Sequence, residues 1–437
     1  MKFKRTASLI LTASLAASAL AGCSKGDSKS ADGKTTIEFW AAPNPTQQVY
    51  WKEMAKEFEK KNPKIDVKVS PIKESPTSEA SIQSAIAGKS APTMSENINR
   101  GFAAQLAESK ALVPLNEIEG WDKLIEKRNM TDTIKTWKFS DDNQYVMPIY
   151  SNPMLFGWRI DVLKELGVNE PPKTYSEVID VTKKLKAKYP DKYLWAKGDL
   201  ADPTAWKRWF DFFMLYDAAS GGNNFIEGDK FVAKDKAGVE VLKFMDDIRK
   251  EDGLLTKQAT DPFESALGIF TDLGPWTFSY WEEKFPEMEY NKNFALSLPP
   301  VPDGQRTKNV STFADTKGIA VYASATEEER KAAMKFMNFV YSNPENDLKW
   351  LETTKLPPAR DDLSSNESFK AFFEKNPELK PYAEAVPNAI PAIDNAKFNE
   401  LQTHIGRLAV NPVVKGEVDP EKGWKEMKKA IKEELKK

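Results

Sequence analysis

Hydrophobic and polar positions follow two rhythms along this chain. Ile37-Glu38-Phe39-Trp40 reads as a short strand. The Pro43-Asn44-Pro45 turn leads into a helix from about Thr46 to Lys60, with Tyr50, Met54 and Phe58 on one face at i, i+4 and i+8. Asn62-Pro63 stops it, and Ile65-Asp66-Val67-Lys68-Val69 alternates as a second strand. Such a β-α-β unit predicts parallel strands under a right-handed crossover. A second helix is expected from Thr77 to Ala87, ended by Gly88 and Pro92. A third, Phe102 to Glu108, leads into Ala111-Leu112-Val113-Pro114-Leu115.

From about Ser151 to Tyr290 the pattern is richer in helix than in strand, with helices expected at Tyr175 to Lys188, Trp206 to Tyr216 and Lys236 to Lys250. Phe294 to Leu298 and Gly318 to Tyr322 are apolar enough for buried strands. Thr326 and Glu329 have capping-box spacing before an apolar stripe of Ala332, Phe336, Phe339 and Val340. Asn343-Pro344 ends that helix, and Trp424 to Lys437 is amphipathic. This alternation predicts an α/β fold without internal repeats. After the first residues no apolar run reaches the roughly 18 residues that span a bilayer.

Composition narrows the chemistry. The 437 residues include 12 Trp, 12 Tyr and 24 Phe, but a single histidine, His404, and a single cysteine, Cys23. Transition-metal sites, Cys–His nucleophiles and two-histidine sites are thereby excluded, and no metal or cofactor is expected. A serine triad would need His404, which sits in a helical pattern, and no Gly-x-Ser-x-Gly elbow occurs. The pairs Asp141-Asp142, Asp246-Asp247 and Asp361-Asp362 lack calcium-loop spacing and read as solvated charge. Gly221-Gly222-Asn223-Asn224 is turn chemistry, without the Lys-Ser/Thr of a phosphate loop.

The first residues give an address. Met1-Lys2-Phe3-Lys4-Arg5 is cationic, Thr6 to Ala19 is apolar or small, and Leu20-Ala21-Gly22-Cys23 resembles a bacterial lipobox. That resemblance implies a signal peptide at 1–22, a lipid thioether on Cys23 and a mature chain tethered outside the membrane. The polar stretch 23–34 reads as a flexible tether. Without Lys2, Lys4 and Arg5 the formal charge is about −5, which argues against nucleic acid as a partner. With no second cysteine, a disulfide within one molecule is impossible. The 415 residues from Cys23 exceed what one core usually supports, so two lobes are expected.

Beyond the lipobox, several short motifs occur in order: Ile37-Glu38-Phe39-Trp40 with the helix around Trp51 to Glu59, Tyr145-Val146-Met147-Pro148-Ile149-Tyr150, Gly274-Pro275-Trp276, Leu298-Pro299-Pro300-Val301-Pro302 and Leu356-Pro357-Pro358-Ala359-Arg360. Together the chain resembles the maltose-binding-protein-like solute-binding lipoproteins of sugar ABC importers, extracellular solute-binding protein family 1. The resemblance implies a two-lobed periplasmic-binding-protein-like fold of type II, with the ligand cleft between lobes joined by several hinge crossings. These crossings would fall near Ile149-Tyr150-Ser151, Ser311 to Asp315 and Pro357 to Arg360. Lobe 1 would be 35–149 plus 313–357, and lobe 2 would be 150–312 plus 358–437. Where many relatives carry Pro-Asp-Val, this chain reads Ala91-Pro92-Thr93-Met94-Ser95-Glu96-Asn97.

A sugar presents hydroxyls at its rim and nearly apolar C–H faces, so a binder needs flat rings beside hydrogen-bonding side chains. Trp40 ends the first strand with Asn44 and Gln47 just beyond, where cleft residues collect in α/β folds. Trp276 follows a Gly-Pro turn, and Trp206 and Trp209 lie three apart on one helical face. The resemblance adds Glu96 and Asn97 in a ligand-contacting loop, Tyr150 and Ser151 at the first crossing, Asp315 at the second, and Phe398 with Asn399 as a late contact. The expected function is a non-catalytic, monomeric receptor that delivers a carbohydrate, an oligosaccharide by its aromatic supply, to an ABC permease. The rivals are a receptor for a glycerol-phosphate diester or another polar solute, for which Arg159 and Arg208 are the candidate arginines, and a surface glycoside hydrolase. A structural adhesion lipoprotein would show repeats or a broad apolar face, and the sequence has neither.

Overall fold

In the computed structural model the described residues are 33–74, 77–202 and 208–437. Residues 1–32, with the expected signal segment, Cys23 and most of the expected tether, and Trp206 lie outside them. The strands are β1 (Thr35–Ala41), β2 (Ile65–Pro71), β3 (Met94–Ile98), β4 (Met147–Pro153), β5 (Leu155–Trp158), β6 (Tyr193–Ala196), β7 (Ile226–Glu227), β8 (Lys230–Phe231), β9 (Leu254–Leu255), β10 (Gly268–Leu273), β11 (Ala295–Ser297), β12 (Thr312–Val321) and β13 (Ala389–Ile390). Helices α1 (Pro45–Lys61), α2 (Ser78–Ala87) and α3 (Arg100–Glu108) alternate with the first three.

The local causes are those in the sequence. In β1, Ile37, Phe39 and Ala41 are buried while Glu38 is exposed. Asn44 caps α1 by accepting from the Thr46 N–H at 2.9 Å, with Pro45 at the first helical position. The inward face of α1 sets Trp51 edge-on to Phe39 at 4.9 Å and Phe58 edge-on to Phe336 at 5.2 Å. In the helix Glu327–Tyr341 the capping box forms, with Thr326 accepting from Glu329 N and Glu329 accepting from Thr326 N.

Two open sheets result. The first runs β13-β12-β3-β1-β2, with β4 also paired to β12. In it β1 and β2 are parallel, Ile37 beside Val67. The second runs β11-β5-β10-β6-β9, and β7-β8 forms a separate ribbon. Each sheet has its own core, one around Phe39, Trp51, Met94 and Phe336, the other around Phe156, Trp195, Met245 and Phe270.

Between the cores, three chain segments run side by side. β4 and β12 are antiparallel, with Ser151 opposite Thr316 and Asn152 opposite Asp315. Ser151 N donates to Pro357 O at 2.9 Å, and Ala359 N donates to Ile149 O at 3.0 Å.

Three local readings differ from expectation. The segment read as a ligand loop at 91–97 enters strand β3, because Met94 and Ile98 supply core anchors that override its polar middle. The helix expected from Trp206 is, over its described part, a wide turn at Trp209–Phe213 kinked at Phe210, followed by Met214–Ser220. The strand expected at Gly318 to Tyr322 forms through Val321, but as the end of the ten-residue strand β12 that begins at Thr312.

Candidate functional site

A cleft of about 820 Å³ opens between the elements of the two sheets. Its floor is the β12 segment Phe313-Ala314-Asp315-Thr316-Lys317. One wall is the start of α2 and α3, with Thr77, Glu79, Gln83, Asn99 and Gln105; the other carries Trp209, Phe210 and Trp276, with Phe398 and Asn399 completing the lining. Both helix starts carry their own caps: Thr77 Oγ1 accepts from Ala80 N at 3.1 Å and Asn99 Oδ1 from Phe102 N at 2.8 Å. The caps hold polar side chains at the cleft wall while taking one first-turn N–H of each helix.

The rings touch in sequence. Trp209 stacks on Phe313 at 4.8 Å and 16°, and on Phe398 at 6.1 Å and 28°. Phe210 lies 6.0 Å from Phe313 and 5.9 Å from Trp276. Trp276 folds back over Gly274: a Cβ on that glycine would fall 2.3 Å from the indole. The absent side chain lets the ring lie against the backbone and present its other face, and Trp276 is 43% exposed.

The polar part of the lining is mixed. Among the described residues its charges are Lys317 against Glu79 and Asp315, with no arginine. The Thr316 hydroxyl is buried and finds no hydrogen-bond partner among the described residues, so it is available to a ligand hydroxyl. Arg159 pairs with Asp161 and donates to the carbonyls of Phe263 and Glu264. Arg208 is fully buried, 3.3 Å from Asp211, and donates to Asp199 O. Neither lines the cleft.

Behind the Trp209–Phe313 pair lies a smaller cavity of about 220 Å³, bordered by Arg100 and Asp217. Burial pushes the Asp217 carboxyl well above the usual carboxylate range, and its Oδ2 has no partner among the described residues.

Of the residues singled out in the sequence, Trp209, Trp276, Asp315, Phe398 and Asn399 line the cleft. Trp40 is half-buried against the core of the first sheet. Asn44 is spent as the α1 cap. Gln47 donates to Glu96 Oε1 at 2.8 Å, while Ala42 N and Trp51 Nε1 donate to Oε2 at 2.7 and 2.9 Å, so Glu96 fastens α1 to β3 from inside. Burial pushes its carboxyl up to about 7, against three donors that favour the charge. Asn97 sits at a φ of 66° with its amide 3.4 Å from Ser78 Oγ. Tyr150 stacks on Trp350 at 6.1 Å, and Ser151 is buried between crossings. His404 lies 3.3 Å from Glu434, away from the lining.

Sequence reasoning missed Phe210, Phe313, Thr316, Lys317, Gln83 and Asn99. A usable signal existed for Asn99, which follows β3 directly and so occupies the strand end where cleft residues collect. None of the described residues forms a His, Cys, Asp and Glu group able to hold a metal ion, and no helix among them is long and apolar enough to cross a membrane.

A family model described as bacterial extracellular solute-binding protein matches residues 53–381. The sn-glycerol-3-phosphate-binding periplasmic protein UgpB of Rhizobium meliloti is 23% identical over 369 residues, covering 79% of this chain and 80% of its own. Among solved structures, an uncharacterized protein of Listeria monocytogenes EGD-e is 62% identical with a TM-score of 0.91, over 92% of this chain and 100% of that one. The cyclic alpha-maltosyl-1,6-maltose binding protein of Arthrobacter globiformis matches at 17% identity and TM-score 0.76, over 92% and 100%. The sugar-binding protein MalE of Xanthomonas citri matches at 19% and 0.73, over 92% and 98%; these last two share the fold. With three quarters of its length matched by the family model and both sheets arranged around one cleft, the chain belongs to the bacterial extracellular solute-binding proteins.

Proposed function

We propose that the chain is the substrate-binding lipoprotein of an ABC importer, capturing a carbohydrate, an oligosaccharide, in the cleft and delivering it to the permease. The observation that carries this reading is the lining: stacked and tilted aromatic rings beside amides, a hydroxyl and a nearly balanced set of charges. Rings receive the C–H faces of a sugar, and Gln83, Asn99, Asp315, Thr316 and Asn399 receive its rim. Lobe 1 would be 35–149 plus 313–357 and lobe 2 150–312 plus 358–437, hinged at the three adjacent segments. A ligand that contacts both lobes stabilises the closed form, and the permease distinguishes loaded from empty receptor by that form. The lipid on Cys23 keeps a monomeric receptor at the membrane beside its permease.

A second reading, a glycerol-phosphate receptor, is favoured by Lys317 and by the name of the Rhizobium meliloti relative. Arg159 and Arg208 give it no support, since both are engaged elsewhere. Thermal unfolding of the protein with a panel of oligosaccharides, sn-glycerol-3-phosphate and glycerophosphodiesters separates the two, because a ligand of the folded state raises Tm. A rise with an oligosaccharide alone is expected. A rise only with the phosphates would replace the carbohydrate reading with the second, and steady release of reducing sugar would replace both with a hydrolase.

A further inference from the structure

We propose that Tyr280 forms an outer subsite for a further sugar ring, so that the ligand chain continues out of the cleft along the helix Thr277–Lys284. This rests on the carbohydrate reading of the cleft. Among the described residues the exposed large apolar side chains are Val49, Val232, Trp276 and Tyr280. Only Trp276 and Tyr280 belong to one element: Trp276 has helical backbone angles at the helix start and Tyr280 follows four residues later. An i, i+4 pair shares one helix face, just over one turn or ~6 Å apart along the axis, comparable with the span of one pyranose ring.

The first member of the pair belongs to the cleft lining. Ring contacts run from Phe398 through Trp209, Phe313 and Phe210 to Trp276, where the lining ends. Tyr280, 47% exposed, stands one turn beyond, its ring 5.8 Å from Phe285 at 62°. Phe285 buttresses the ring and limits its freedom, and a ring already held loses less entropy on binding. A phenol joins a flat apolar face to a hydroxyl, which suits one more sugar unit. Isolated exposed aromatics need no explanation; two on one helix face, one of them the last ring of the cleft lining, do.

The test is calorimetric titration of the full chain and its Tyr280→Ala and Tyr280→Phe variants with linear oligosaccharides of two to six units from α-glucan, β-glucan, mannan and galactan. The exposed position allows both variants to fold. The expected result is a wild-type affinity that rises with length, a loss of about five- to tenfold in Tyr280→Ala for the longer members only, and retention in Tyr280→Phe. Equal affinities of wild type and Tyr280→Ala at every length, or the same loss for the shortest and longest members, would overturn the outer subsite and leave the cleft assignment standing. Failure of the wild type to bind any member would overturn the carbohydrate reading and the subsite with it.

Discussion

Arg128 grips both carboxylate oxygens of Asp347, with Nε 3.2 Å from Oδ2 and Nη2 2.9 Å from Oδ1. Both residues are fully buried. The same guanidinium donates to the carbonyls of Pro148 and Ile149 in the first crossing and lies 3.9 Å from the Tyr341 ring centre. Arg360, in the third crossing, donates to Asp347 Oδ2 at 3.0 Å and to Asp362 Oδ1 at 2.6 Å. One carboxylate therefore ties the first crossing to the third.

Asp347→Ala leaves two buried guanidinium groups without their shared counter-charge. A loss of about 3–5 kcal/mol in unfolding free energy is expected by urea titration, because removal of one partner strands a buried charge. A loss below about 1 kcal/mol would show that the network contributes little to holding the crossings.

Glu96 makes stability depend on pH. Its folded value of about 7 lies above the ordinary glutamate value of 4.5, so the folded state binds a proton that the unfolded chain has already released. Stability from this group is complete below 4.5 and lost as pH rises through 7. The loss between pH 6 and 8 is on the order of 1 kcal/mol. Glu96→Gln should flatten that slope, since the Gln47 amide can rotate to offer its oxygen to the new NH₂. Denaturant midpoints at pH 6, 7 and 8 check this, and an unchanged slope in the variant removes Glu96 as its source.

Trp276→Ala should weaken ligand binding about tenfold or more while leaving the chain folded, since the side chain is 43% exposed and belongs to none of the hydrophobic cores. Gly274→Ala should act in the same direction by displacing the indole that lies 2.3 Å from the new Cβ. Unchanged affinity in both variants would take Trp276 out of the site.

Cys23→Ala should release the protein into the medium with ligand affinity unaltered, measured by fractionating cells and titrating the released protein. Retention in the membrane fraction would assign the anchor to something other than a lipid on Cys23.

The β-α-β start, the Asn44 cap and the Thr326–Glu329 capping box were legible because each is a local interaction encoded within a few residues. The site was legible only in part. Gly274-Pro275-Trp276 announced itself because a glycine is needed where the indole meets the backbone. Trp40, read as a cleft residue at a strand end, packs on the first core, and Glu96, read as part of a ligand-contacting loop, lies inside strand β3 and is held by three donors. Phe313, Thr316 and Lys317 carried no signal, because a side chain on a long strand gives no hint of which neighbours it will face.

The sequence alone determined the alternation of elements, the scarcity of histidine and cysteine and the supply of aromatic rings, all properties of composition and short-range order. Tertiary structure decided which rings line the cleft and which became core. That choice depends on the pairing of β4 with β12 and the folding of Trp276 over Gly274, contacts between residues far apart in the chain or set by a turn. Burial, unlike periodicity, is a property of the assembled whole.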